Sequence, residues 1–226
     1  MKRARKLRVE QRQQLSVPPF PRLGRPGFFG SARHAWNGLV HTVVHQRNMQ
    51  IHVTAAFLVS LVGSGIPLGL AEKVTMVFCV LLVFFAEILN SALEHLVDLA
   101  TQEFDDKAKV AKDAAAAGVL VLAFGTVVIF ATIIFHNRET VAAFQAAVAR
   151  QVVLGLPFTA CAAALIVKRP RPAWVDGALF VTAVVLLGLI TRETYSAVFT
   201  AMTVGLLVLT GAVAVRRHRA ESAAQK

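Results

Sequence analysis

Long apolar runs are the feature that most constrains this chain. They recur between residues 51 and 215, and each is roughly 20 residues long, enough for a helix to cross a hydrocarbon core about 30 Å thick. The short alternating segments of a membrane β-barrel do not occur in the sequence. We therefore predict an all-α integral membrane protein. Its predicted spans cover residues 51–70, 74–99, 113–135, 151–167, 174–190 and 195–215.

Basic residues are concentrated at the ends of these runs. The formal net charge is +11, but neither zinc-finger spacing nor an aromatic RNA-binding signature accompanies it, so no nucleic-acid partner is expected. Basic clusters occur in residues 1–27, 107–112, 168–171 and 216–219, whereas Lys73, Arg138 and Arg192 stand alone. Because cytoplasmic loops carry the excess of Lys and Arg, we predict a multi-pass protein of the bacterial cytoplasmic (inner) membrane, with both termini in the cytoplasm.

The residues before the first span predict a surface segment. A basic tail, residues 1–27, is predicted to be mobile, and the stretch 31–47 then has apolar residues at helical spacing. This pattern indicates an amphipathic helix on the membrane surface, with Trp36 as an interfacial anchor. The nearby histidines do not predict a metal site, because no acidic residue lies between them as an HExxH motif requires.

The second apolar run ends in an acidic stretch, residues 87–98. At 100° per residue, its polar side chains fall within about 60° of Glu87 on a helix. This acidic face consists of Glu87, Asn90, Ser91, Glu94 and Asp98. Carboxylates at the end of a membrane span are costly and by default mark a functional site, although an ordinary interfacial helix end would show the same pattern.

An acidic face beside a lysine-containing loop suits one kind of chemistry. Transfer of a phosphoryl group from a nucleotide to a lipid headgroup needs a divalent metal, a base near the acceptor hydroxyl and a cation for the transferring group. Carboxylates one helical turn apart can bind Mg²⁺, which prefers oxygen ligands. The sequence contains no GxxxxGK[ST], GxGxxG, HRD or DFG motif, so a nucleotide site here would be built differently.

The acidic face and the residues that follow it also resemble the signature of a known protein family. The segment Glu87-Ile-Leu-Asn90-Ser91-Ala-Leu-Glu94-x-x-Val-Asp98, followed by Ala111-Lys112-Asp113, resembles the signature of the prokaryotic diacylglycerol kinase/undecaprenol kinase family. Upstream, Ser31-x-Arg33-His-Ala-Trp-Asn37-Gly38 and Gln46-Arg-Asn-x-x-Ile51-His52 resemble the surface helix and the start of the first span in that family. The resemblance covers about residues 28–136.

The resemblance implies both an architecture and a reaction. It implies a surface helix and three transmembrane helices, assembled as a homotrimer with active sites shared between subunits. About three further transmembrane helices would follow in residues 137–226. The implied reaction is ATP- and Mg²⁺-dependent phosphorylation of a lipid alcohol, either diacylglycerol or undecaprenol, within a membrane whose lipids surround the protein.

The resemblance also implies roles for single residues. Glu87 would be the general base for the lipid hydroxyl, and Asn90 would help to hold the reacting groups. Glu94 would bind metal and lie near ATP. The remaining residues implied for the nucleotide site and its supporting network are Asp98, Glu103, Asp105, Lys112 and Asp113, with Lys112 meeting phosphate.

One position departs from the family pattern. Gln46 stands where the family commonly has a second metal-binding glutamate. The carbonyl oxygen of a glutamine can bind Mg²⁺ but carries no charge, so we expect Gln46 to be at best a weak metal ligand.

Residues 137–226 lie outside the resemblance. Lys168-Arg-Pro-Arg-Pro172 faintly resembles the start of a phosphatidic-acid phosphatase signature, but the later Ser-Gly-His piece does not occur, so no phosphatase is predicted. The alternative to a kinase is a membrane transporter or scaffold that uses the acidic face to bind an ion. A transporter should show internal repeats and charges near the bilayer midplane, whereas these acids lie at one end of a span.

Overall fold

The computed structural model describes residues 27–169 and 171–224, and every regular element within those ranges is an α-helix. The helices are α1 Phe28–His45, α2 Arg47–Ser64, α3 Leu70–Ala100, α4 Asp106–His136, α5 Arg138–Ala143, α6 Gln145–Ile166, α7 Ala173–Arg192 and α8 Ala197–Ala224. Five of them, α3, α4, α6, α7 and α8, are long and apolar enough to cross a membrane. The predicted all-α membrane class is therefore confirmed. The predicted tail, except for Gly27, lies outside the described residues.

The first predicted span, residues 51–70, differs from the observed helix. α2 begins earlier, at Arg47, ends at Ser64, and is not among the five apolar helices. Its side chains are buried against protein instead: Met49, Val53 and Phe57 are completely inaccessible to solvent. A helix that packs against other helices can carry polar side chains if they find partners. Ser60 does so, because its hydroxyl donates a hydrogen bond to the Phe199 carbonyl at 2.7 Å.

The helices that surround α2 come largely from the second half of the chain. α2 packs against α6 and α8 as well as against α3. Phe57 of α2 meets Phe158 of α6 edge to face, with ring centroids 5.3 Å apart. Gly155 permits this close approach, because a Cβ atom there would lie 2.7 Å from a methyl group of Leu61. Residues on both sides of position 136 therefore share one hydrophobic core.

α3 and α4 form the hairpin that positions the acidic face. Asp105 ends the connecting loop, and its Oδ1 atom accepts hydrogen bonds from the backbone N–H groups of Lys107, at 2.8 Å, and Ala108, at 3.0 Å. This is an N-cap, which satisfies donors that the first turn of a helix otherwise leaves free. Val119 is the one buried residue of α4, so most of this apolar helix faces outward.

Candidate active site

The acidic face of α3 lines a cavity of about 230 Å³. Glu87 and Asn90 form its α3 wall, three helical turns from the C-terminal end of the helix. The remaining walls come from α2 and α4, and their residues are Asn48, Ile51, His52, Ala116, Val119, Leu120 and Ala123. The alanines of α4 leave the space open, because a larger side chain at these positions would fill it. Three helices thus enclose four polar side chains, two from α3 and two from α2, among apolar residues.

Glu87 is buried without a partner. Its side chain is 1% exposed, and its Oε2 atom has no hydrogen bond among the described residues. The same holds for Asn90 Oδ1 and Ser91 Oγ on this face. Burying polar groups without hydrogen bonds costs free energy, so these three groups are available to a bound ligand or to water. Oxygen atoms of this kind suit an incoming hydroxyl group or a hard cation such as Mg²⁺.

Asn90 lies between Glu87 and Glu94 along the helix and is hydrogen-bonded to Glu94. Its Nδ2 atom donates a hydrogen bond to Glu94 Oε1 at 3.2 Å, which leaves the amide oxygen facing away from Glu94. Glu94 is half-buried, nearer the end of α3 than Glu87 by two helical turns. The three side chains therefore form a row from the buried cavity toward the end of the helix.

A second, open pocket lies at that end, beside the α3–α4 loop. It has a volume of about 730 Å³, within the range of small-molecule sites. Its charged lining residues are Asp98, Glu103, Asp105, Lys109 and Lys112. Lys112 Nζ donates a hydrogen bond to Asp98 Oδ1 across the α3–α4 hairpin, and both side chains are accessible to solvent.

The structure divides the sequence-predicted site residues between two pockets: Glu87 and Asn90 line the first. Four of the six residues implied for the nucleotide site line the second, whereas Glu94 and Asp113 line neither. The Asp113 side chain is 69% exposed and lies 3.9 Å from Lys109. Gln46 takes the N-cap position of α2 without making a capping hydrogen bond through its side chain. In residues 27–169 and 171–224, no three His, Cys, Asp or Glu side chains are grouped closely enough to hold a metal by themselves.

Two polar residues of the cavity have no role in the sequence prediction. Asn48 and His52 of α2 lie opposite Glu87. Both occur in the segment 46–52 that resembles the family, and their four-residue separation places them on one helix face. That spacing is the signal that could have identified them, but it does not say which helix they would meet.

Comparison with known proteins identifies the family. A model of the prokaryotic diacylglycerol kinase family matches residues 33–134. The undecaprenol kinase of Bacillus subtilis (strain 168) is 41% identical over 96 residues, which are 42% of this chain and 78% of that protein. The chain belongs to the prokaryotic diacylglycerol kinase family. The diacylglycerol kinase of Synechocystis sp. is 35% identical over 105 residues, 46% of this chain and 60% of that protein.

A more distant relative gives the same result. The diacylglycerol kinase of Escherichia coli (strain K12) is 26% identical over 107 residues, 47% of this chain and 88% of that protein. No solved structure matches the chain at a significant level. The predicted family and the predicted enzyme class, a membrane lipid kinase, are therefore confirmed, and the class implies ATP as co-substrate. The match ends at residue 134, so α6, α7 and α8 lie outside it.

Proposed function

We propose that this lipid kinase transfers the γ-phosphoryl group of ATP to the hydroxyl group of diacylglycerol or undecaprenol, at the cavity that Glu87 lines. The observation that carries the proposal is the buried Glu87 Oε2 atom without a hydrogen-bond partner, on the helix whose C-terminal end lines an open pocket that contains Lys109 and Lys112. A carboxylate with a free oxygen atom can accept the proton of an incoming hydroxyl group, which is the task of a general base.

The neighbouring side chains hold the reacting groups in place. Asn90 fixes the Glu94 carboxylate through its amide nitrogen and offers its amide oxygen to the lipid hydroxyl. Lys112 lines the open pocket and donates a hydrogen bond to Asp98. Its ammonium group can bind a phosphate in addition to Asp98. Positioning and charge stabilisation of this kind provide most of the catalysis in phosphoryl transfer.

The oxygen atoms on α3 fit a magnesium ion. Glu94 would hold Mg²⁺, with Gln46 at best a weak further ligand, and the ion would supply positive charge to the phosphates during transfer. The loss of one carboxylate at position 46 reduces the negative charge of the site. We therefore expect this chain to need more Mg²⁺ than a relative with glutamate at that position.

An apolar cavity next to Glu87 suits the tail of the lipid. Its volume is about 180 Å³, and His52 and Ala123 line both this cavity and the one that contains Glu87. The other walls are almost entirely apolar side chains of α2, α3 and α4. A lipid alcohol could therefore place its hydroxyl group beside Glu87 with its first carbons among apolar residues. Diacylglycerol and undecaprenol both meet this requirement.

We infer that the open pocket faces the cytoplasm of a bacterial inner membrane and that both termini lie there. Lys107, Lys109 and Lys112 lie at the Asp98 end of the α3–α4 hairpin, whereas Lys73 and Arg138 lie at its other end. The excess of positive charge at the first end favours its cytoplasmic location, where ATP is available.

We further infer that the subunits form a homotrimer through α4. A Cβ atom at Gly118 or Gly125 would meet nothing within 4 Å, so small residues of α4 leave room for a helix of another copy. The cavity is lined on one side by α4, so a neighbour packed there would close it. Replacement of Gly118 by leucine should weaken the trimer in cross-linking, whereas retention of the trimer would contradict an α4 interface.

Phosphorylation by the purified protein tests the proposal. Labelled ATP and Mg²⁺ should be supplied with diacylglycerol, undecaprenol or a saturated primary alcohol in mixed micelles. We expect label in the lipid phase with one of the first two alcohols. If no lipid is labelled under any combination, the proposed function is wrong.

A further inference from the structure

A buried ion cluster lies at the junction of α7, α8 and the chain segment before α7. Its centre is Asp176, in the first turn of α7 and 4% exposed. Arg217 Nη2 donates a hydrogen bond to Asp176 Oδ2, His218 Nε2 lies 2.6 Å from the same oxygen, and Arg171 Nη2 lies 3.1 Å from Oδ1. Three basic side chains thus meet one carboxylate.

The cluster leaves positive charge at its edge. Arg217 also donates to the carbonyl groups of Leu165 and Val167, so it serves to join α6 and α8. Glu221 adds one further carboxylate, 3.6 Å from His218. Arg219 pairs with no carboxylate in the described ranges and is exposed. The carboxylates of Asp176 and Glu221 therefore balance the charges of Arg171 and Arg217. The Arg219 guanidinium remains available to a ligand.

A long apolar groove starts at this cluster and runs between α7 and α8. Its volume is about 610 Å³, and Asp176, His218 and Arg219 line its charged end. On α8 the lining extends from Arg219 back to Val208, which is about 16 Å of helix. A Cβ atom at Gly177 would meet nothing within 4 Å, so the missing side chain there keeps the groove open.

The charged end of the groove lies at the same end of the helices as the candidate active site. Arg216 Nη1 donates a hydrogen bond to the Asn37 carbonyl at 2.7 Å, and Nη2 lies 3.4 Å from His41 Nδ1. The pKa of His41 is lowered by burial and then by the charges of His45, Arg216 and His95. A lipid headgroup at Arg219 would therefore lie at a membrane depth similar to that of the acidic face.

We propose that the groove between α7 and α8 binds a phosphorylated lipid, with its phosphate group at Arg219 and its tail along the groove. Any lipid tail could occupy an apolar groove, but a free guanidinium group at its end selects a lipid with an anionic headgroup. The hydrogen-bond donors of a guanidinium group fit the geometry of phosphate oxygen atoms. The site lies outside the residues that match the kinase family. Its identification with the product of the kinase rests on the proposed function, whereas the binding itself does not.

Tryptophan fluorescence can report occupancy of the groove. The chain contains two tryptophans, and Trp174 is the neighbour of Ala173, which lines the groove. The variant Trp36→Phe leaves Trp174 as the one fluorophore. The full-length protein in phosphatidylcholine vesicles would receive a few mole per cent of a lipid brominated on its chains, as phosphatidic acid, diacylglycerol or phosphatidylcholine. We expect phosphatidic acid to quench Trp174 several-fold more strongly than the other two.

Two variants and a competitor separate the parts of the site. Arg219→Gln should remove the preference for phosphatidic acid, and Gly177→Leu should fill the groove and remove the additional quenching. Gly188→Leu is the matched control, because it lies on the same helix with open space around it and does not line the groove. Equal quenching by the three lipids, or equal effects of the two glycine variants, would overturn the proposal. Loss of the preference on adding millimolar inorganic phosphate would show a site for the free anion and would also overturn it.

The measurement is independent of catalysis. It needs no ATP, and it can be made on the Glu87→Gln variant, which is not expected to form product. A protein that phosphorylates lipid but shows no preference in quenching refutes the groove site alone. A protein that shows the preference but phosphorylates nothing refutes the proposed function alone.

Discussion

Replacement of Asp105 distinguishes two roles that the structure and the family resemblance assign to one residue. The resemblance places Asp105 in the nucleotide site, where its charge would matter. In the structure its Oδ1 atom accepts two backbone hydrogen bonds and caps α4. Asp105→Ala removes the cap together with the charge, whereas Asp105→Asn and Asp105→Ser remove the charge but can still cap the helix.

The expected size of the effect follows from capping energies. Loss of an N-cap costs about 1 kcal/mol, and up to about 2 kcal/mol in favourable cases. A free-energy cost of that size changes an equilibrium by roughly 5-fold to 30-fold. Because the first turn of α4 carries Lys109 and leads to Lys112, we expect the Ala variant to raise the KM for ATP by about fivefold with little change in kcat.

The comparison among the three variants is decisive. We expect Asn and Ser at position 105 to retain a KM for ATP within about twofold of the natural protein, because side-chain oxygen atoms of all three residue types cap helices comparably. Steady-state kinetics with ATP as the varied substrate provide the measurement, and circular dichroism confirms helix content. If Asn and Ser raise KM as much as Ala does, the charge of Asp105 acts directly on the nucleotide site and the capping argument is refuted.

Three further predictions concern the metal, the packing and the pH dependence. Gln46→Glu should lower the Mg²⁺ concentration for half-maximal rate, and an unchanged requirement would remove Gln46 from the metal site. Gly155→Ala should lower the free energy of unfolding by about 1–3 kcal/mol, because its Cβ atom would lie 2.7 Å from Leu61; an unchanged Tm in detergent would contradict the close contact of α2 and α6. The pKa of His41 is lowered from 6.5, chiefly by burial, so its neutral form is favoured in the folded protein and stability is lost as pH falls through 6.5. His41→Gln should therefore reduce the fall in Tm between pH 7.5 and pH 5.5, and an equal fall in both proteins would refute this.

The acidic face could be predicted from periodicity, because residues three and four apart share one side of a helix. That rule places Glu87, Asn90 and Glu94 in one row before any neighbour is known. It also explains why Asp113 does not line the pocket. Asp113 follows Lys112 by one residue, which is 100° around α4, so the two side chains face different directions.

The partners of each helix could not be predicted in the same way. Periodicity identifies which face of α2 is polar or apolar, but it does not show that α6 and α8 from the second half would pack against it. The misjudged limits of the first span have the same cause, since α2 is buried by protein. Likewise, Asp176 and Arg217 lie 41 residues apart, and their contact depends on how α7 and α8 pack.

The rate of lipid phosphorylation by the Glu87→Gln variant tests the proposed role of Glu87 most directly. Glutamine has nearly the same shape as glutamate but does not act as a general base at neutral pH. We predict that kcat falls by about 10²-fold to 10⁴-fold, while ATP binding and the folded oligomer are retained. Glu139→Gln is the matched control, because that side chain is 93% exposed and lies on α5, so its rate should equal that of the natural protein. A Glu87→Gln variant that keeps the full rate would contradict the claim that Glu87 takes the proton from the lipid hydroxyl.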